Sequence, residues 1–144
     1  MLELTKEPIA LEPLIIAVRN TRYGAVVAFV GTVRDRSDDE RPVSGLSYEA
    51  YEAMVTPQLR AIAADARERF GDCAVAILHR IGEVCAGDPS VAVAVAAPHR
   101  REAFGACEFA INELKARASI WKKEHYVDAP SVWRENPHAG EMAD

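Results

Sequence analysis

Two segments with helical spacing of apolar residues each follow a pair of apolar, strand-like runs. That order constrains the fold more than any other feature of the chain. Gly24 to Val33, GAVVAFVGTV, is rich in β-branched residues and reads as a buried strand, and Leu46 to Tyr51 alternates as another. Met54 to Phe70 then sets Leu59, Ile62, Ala63, Ala66 and Phe70 at helical intervals, with Arg and Asp on the other face, and Gly71-Asp72 ends it. Cys73 to Ile81 and Val91 to Ala97 are again strand-like, and the turn signal Gly87-Asp88-Pro89 between them predicts a hairpin. Pro98 opens a second helix running to about Ala118, with Ala103, Phe104, Cys107, Ile111, Leu114 and Ala118 as its apolar stripe. From Ser119 the chain reads as extended, with Trp121 and Lys123 on one side and Lys122 on the other. The order predicts an α+β fold, with a mainly antiparallel sheet and two main helices. Pro13 to Asn20 reads as a short helix, and the rest of the first 20 residues has no firm assignment.

With 144 residues the chain is expected to form one domain, residues 1–144, with a loose polar tail over 137–144. A net charge of −5 argues against a general nucleic-acid binder, so the basic residues must matter locally. No stretch approaches the roughly 18 uncharged apolar residues of a membrane span, and Met1 to Pro8 lacks a signal-peptide apolar region. Cys73, Cys85 and Cys107 are far apart and form no CxxC pair, which predicts no metal site and a reducing, cytoplasmic setting. No cofactor is expected.

Of the 17 Lys and Arg residues, the lysines are Lys6 and the cluster Lys115, Lys122 and Lys123. Arginine stays protonated, whereas a buried lysine can lose its proton and act as base or nucleophile. Lysines gathered in an apolar-flanked stretch therefore suggest amine chemistry, against the plainer reading of a solvated basic patch. Pro98-His99-Arg100-Arg101 begins a helix, where cations oppose the helix dipole. A bound anion such as phosphate explains them, as does pairing with Glu102 and other surface acids. Arg34 leaves the first strand for the long polar loop Arg34 to Gly45, either lining a cleft or solvated among Asp35, Arg36 and Asp38. His99 and Lys115 are sixteen residues apart, about 24 Å of rise and about 160° of rotation on one helix. A small metabolite touching both therefore requires a broken helix or a site built from two subunits. The second option predicts a homodimer.

Five groups of residues, in order along residues 24–135, together resemble one family. They are Gly24-Ala25-Val26-Val27 with Phe29-Val30-Gly31-Thr32-Val33-Arg34; Leu46-Ser47-Tyr48-Glu49-Ala50-Tyr51; His79-Arg80-Ile81-Gly82-Glu83 with Gly87-Asp88; Ala97-Pro98-His99-Arg100 with Ala103-Phe104; and Leu114-Lys115 leading to Ile120-Trp121-Lys122-Lys123-Glu124. Each alone is weak, but jointly they are similar to the large, catalytic subunit of molybdopterin synthase, the MoaE family. The resemblance implies an α/β-hammerhead-like fold with its core over about 24–135. It implies a sulfurtransferase that converts cyclic pyranopterin monophosphate, also called precursor Z, into molybdopterin during molybdenum cofactor biosynthesis. The sulfur would come from the C-terminal Gly-Gly thiocarboxylate of a small ubiquitin-like, MoaD-like subunit. The implied assembly is a heterotetramer centred on a homodimer of this chain.

By the same resemblance, Lys115 and Lys122 are the catalytic lysines. Arg34, His99 and Arg100 bind the phosphate and pterin. Thr32, Val33, Lys123 and Glu124 line the substrate site, although Thr32 stands where some relatives carry lysine. Lys115 would meet the carrier's terminal carbonyl, as oxyanion stabiliser, acid/base or transient acyl acceptor. The competing reading is a non-catalytic dimeric scaffold that holds the small subunit's tail. A phosphate-ester hydrolase using His99 would lack a placed nucleophile.

Overall fold

A computed structural model of the chain describes residues 1–134; the expected tail over 137–144 lies outside the described residues. Its centre is the strand Pro89–Ala97, in which every residue after Pro89 is buried. The strand alternates Val and Ala, so its two faces differ in bulk. Val91, Val93 and Val95 join the larger apolar cluster, while Ala92, Ala94 and Ala96 join a smaller one. On the alanine side a short helix, Glu12–Val18, lays Leu14 and Val18 directly against the sheet. On the valine side two long helices, Glu52–Phe70 and Arg100–Arg117, bury Leu59, Ile62, Ala106 and Ala110 completely. Small and β-branched side chains thus decide which helix can approach which face.

In chain order the elements are β1 (Leu2–Thr5), α1 (Glu12–Val18), β2 (Ala25–Thr32), β3 (Val43–Ala50), α2 (Glu52–Phe70), β4 (Ala74–Arg80), β5 (Gly82–Cys85), β6 (Pro89–Ala97), α3 (Arg100–Arg117), β7 (Ile120–Tyr126) and β8 (Val132–Arg134). The architecture is α+β, as the element order predicts. The strands form two sheets rather than one, with orders β1-β4-β6-β2 and β5-β3-β7-β8. Pairing is antiparallel throughout except where β1 runs parallel to β4. The expected hairpin is present in its pairing, with Ile77 of β4 opposite Val93 of β6. Its connection is not a simple turn, because Gly82 at φ +85 redirects the chain into β5, which joins the second sheet beside β3.

Helix α3 runs unbroken through Gly105, where a Cβ would come within 2.6 Å of the Phe70 ring, so the glycine lets α2 and α3 close on each other. Among the described residues no helix is long and apolar enough to cross a membrane. Gly45 is the tightest point of the second sheet: a Cβ there would stand 2.6 Å from the Val84 carbonyl oxygen and 3.3 Å from the Cys85 Cα. Both neighbours are backbone and cannot swing away. Gly45→Ala is expected to force β3 and β5 apart and cost about 1–3 kcal/mol in urea unfolding; an unchanged midpoint would contradict this packing.

Candidate active site

The second sheet faces the first across a gap, and its inner face carries the chemistry. Antiparallel register sets Tyr48 of β3 opposite Lys122 of β7, and Leu46 opposite Glu124. Residues two apart on a strand share a face, so Lys122 and Glu124 point inward together. Lys115 reaches the same gap from the last turn of α3. Only Ala118 and Ser119 separate that helix from β7, and Ser119 is held on all sides. Its N–H donates to Gln58 Oε1 at 2.8 Å, its hydroxyl accepts from Gln58 Nε2 at 3.0 Å, and its carbonyl accepts from the Tyr51 N–H at 3.0 Å. The clamp from α2 fixes how the helix end meets the strand, and with it the spacing of the two lysines.

Lys115 and Lys122 together border a cavity of about 400 Å³, within the size range of small-molecule sites. Thr32, Val33 and Arg34 supply one wall at the end of β2, and Glu124 lies on the β7 side. A narrower recess of about 60 Å³ continues beneath the lysines, walled by Tyr48, His79, Ser90 and Leu114. Arg34 Nη2 donates to Asp38 Oδ1 at 2.7 Å, an exposed pair that an incoming anion can exchange. Arg134 of β8 ties the rim together, donating to the Tyr126 hydroxyl at 2.7 Å with Glu124 at 3.7 Å and Asp39 at 3.9 Å. Glu124 is buried, and its Oε2 has no hydrogen-bond partner among the described residues.

The two amines are half-buried, and burial is the main force on both. It pushes Lys115 below the ordinary lysine range, and the positive charge of Lys122 pushes it further. Burial lowers Lys122 as well, opposed by the carboxylates of Glu124 and Asp38 and aided by Arg34 and Arg134. The site therefore offers amines that give up protons more readily than free lysines, beside a fixed guanidinium.

The model of the family described as MoaE protein matches residues 4–117. The chain belongs to the MoaE family. It is similar to the molybdopterin synthase catalytic subunit of Emericella nidulans, 42% identical over 94% of this chain and 69% of that protein. The molybdopterin synthase catalytic subunit of Bacillus subtilis is likewise 42% identical, over 88% of this chain and 80% of its own length. Among solved structures, molybdopterin synthase from Staphylococcus aureus superposes with a TM-score of 0.87 at 37% identity, covering 92% of this chain and 96% of that one.

In this MoaE-family chain, Thr32, Val33, Arg34, Lys115, Lys122 and Glu124 come together around one cavity. Lys123 does not join them: it sits on the opposite face of β7, its Nζ 5.6 Å from the Trp133 ring centroid. His99 and Arg100 are exposed at the far end of α3 and line neither recess of their own chain. His99 occupies the N-cap position without making a side-chain cap. Tyr48, for which the sequence suggests no role beyond its place in an alternating strand, faces inward because it is the cross-strand neighbour of Lys122. Ser90 and Arg134 also enter the site without a residue-level signal of their own, and His79 enters it from a motif that carries the resemblance but assigns it no role. His79 is the polar residue inside the apolar run Cys73 to Ile81, and Trp121 is 53% exposed at the rim.

The depressed Lys115 amine has a measurable stability consequence. The unfolded chain holds that proton up to the ordinary lysine range, while the folded chain releases it at lower pH. Below the folded value the buried charge destabilises the fold, and the penalty fades as pH rises through it. Lys115→Met is therefore expected to raise the urea midpoint at pH 7, with the gain shrinking toward pH 10 (about the free-lysine range). A midpoint that falls at pH 7 would show that the amine stabilises the fold.

Proposed function

We propose that this chain is the catalytic subunit of a molybdopterin synthase, a sulfurtransferase of molybdenum cofactor biosynthesis. It takes sulfur from the C-terminal thiocarboxylate of a small ubiquitin-like carrier and adds it to cyclic pyranopterin monophosphate, forming the dithiolene. The observation that carries this reading is the meeting of Lys115, Lys122 and Arg34 on one cavity of about 400 Å³. The relatives named molybdopterin synthase catalytic subunit support it.

The chemistry needs what the cavity contains. Sulfur leaves the carrier's acyl carbon as it bonds to the pterin, and the acyl group ends as a carboxylate after taking oxygen from water. Charge builds on the carbonyl oxygen during that exchange, and an adjacent ammonium stabilises it. Once deprotonated, the Lys115 amine serves equally as base or as transient acyl acceptor. Lys122 holds the substrate and passes protons, with Glu124 beside it. Arg34 exchanges Asp38 for the substrate's phosphate.

We further propose that His99 and Arg100 complete the site of a second copy. Helix α3 spans Arg100–Arg117 without a break, and about 24 Å of rise separates His99 from Lys115. The cationic helix start of one chain beside the lysines of another supplies the remaining anion contacts, in a homodimer flanked by two carriers.

Reconstitution with the thiocarboxylated small subunit and precursor Z tests the activity. Wild type is expected to form dithiolene, with Lys115→Ala losing at least about a hundredfold in rate and still binding the carrier. A tight complex that makes no product would leave the scaffold reading. Subunit mixing tests the shared site. A His99→Ala/Arg100→Ala chain and a Lys115→Ala chain, each inactive alone, should regain about a quarter of wild-type activity when randomly paired. No recovery from verified mixed dimers would place the whole site within one chain.

A further inference from the structure

No step assigned to Lys115 or Lys122 uses His79, yet its imidazole is buried directly behind them, only 6% exposed. It lies on β4 opposite Val91 of β6, with its ring edge-on to Tyr48 at a centroid distance of 4.9 Å and an angle of 74°. Its Nδ1 is 2.7 Å from the carbonyl oxygen of Arg80. A carbonyl can only accept, so Nδ1 donates its proton there, and Nε2 of the neutral ring keeps the lone pair. Burial holds the ring neutral, lowering its pKa to about 4, with the Arg80 bond opposing and the charge of Lys115 adding to the fall. His79 and Lys115 wall the same recess of about 60 Å³ together with Tyr48 and Ser90. That recess has the size and the polar walls to seat an ordered water.

We propose that His79 is a positioning residue for Lys115: its Nε2 lone pair accepts a hydrogen bond from the Lys115 amine, directly or through one water in their shared recess. This bond sets the direction of the amine and its hold on the proton. A neutral acceptor suits the task better than the alternatives. A carboxylate at this place would lock the amine as ammonium, and an apolar side chain would accept no hydrogen bond from it. The other charged groups around the site do not duplicate the role. Lys122 from β7, Arg34 and Arg36 from the loop after β2, and Arg134 from β8 are cations. The carboxylates are Glu124 of β7 and Asp38 of the loop, which line the larger cavity and not the recess. Tyr48 of β3 is a weak acid whose pKa burial raises, against a hydrogen bond with Ser90.

The proposal rests on Lys115 being the working amine, but its test does not require sulfur transfer. Nitrogen NMR of the folded wild-type protein should show His79 with Nδ1 protonated and Nε2 as acceptor, and the Nε2 signal should move as Lys115 titrates. A proton on Nε2, or an Nε2 signal indifferent to that titration, overturns the proposal without any variant. In folded variants, the Lys115 titration should fall by about one pH unit in His79→Leu and stay close to wild type in His79→Gln, which keeps an acceptor. Equal shifts in both, or none in His79→Leu, would reduce His79 to a packing residue. A coupled titration in a protein that forms no dithiolene would uphold the pair and count against the sulfurtransferase reading.

Discussion

Two amines brought side by side into a half-buried wall repel each other and lose hydration, and the rest of the site is arranged around that cost. Glu124 and Asp38 offset it for Lys122, while Arg34 and Arg134 add to it. The balance leaves both amines below their free-solution range and so more ready to shed protons. Stability is sacrificed locally for reactivity, as is common where a site must hold charge in a confined space. The fold tolerates this because its apolar clusters, centred on β6 and the faces of α2 and α3, lie beneath the site, with Val91 and Leu114 serving both.

The two-sheet arrangement makes the confined space. The first sheet is covered by helices on both faces, so it is a rigid floor. Among the described residues the second sheet has no helix laid broadly against it, and it leans over that floor, joined through the redirection at Gly82 and the Ser119 link. The cavity lies between the end of β2, the end of α3 and the inner face of β7. Each of these is held by elements on a different part of the chain, so the lysine spacing depends on the clamp from Gln58 as much as on β7 itself. The rim is looser, made of exposed ion pairs such as Arg34 with Asp38. The amines therefore sit behind an ionic rim whose exposed pairs are open to exchange.

The order of the longer elements, the short helix α1 and the helical stripes of α2 and α3, except for Phe104, which is 62% exposed, were legible in the sequence, because apolar period depends on local geometry alone. So was the split of β7 into two faces, which separates Lys122 from Lys123. Strand partners were not legible. β1 pairs parallel with β4 from more than seventy positions away, and β5 leaves the hairpin to join the other sheet. Short strands such as β1, β5 and β8 carry too few residues for a period to show.

By itself the sequence determined which residues could do chemistry: lysines concentrated in an arginine-rich chain, and cations at a helix start that either a bound anion or neighbouring surface acids explain. Helix arithmetic also placed His99 and Lys115 too far apart to serve one small molecule within one chain. Tertiary structure alone decided the company those residues keep. Tyr48 became a wall of the site through its cross-strand pairing, and His79 came to share a recess with Lys115 through the pairing of β4 with β6, on which α3 packs. Pairing and burial are set by contacts between distant segments, whereas residue type and period are written locally.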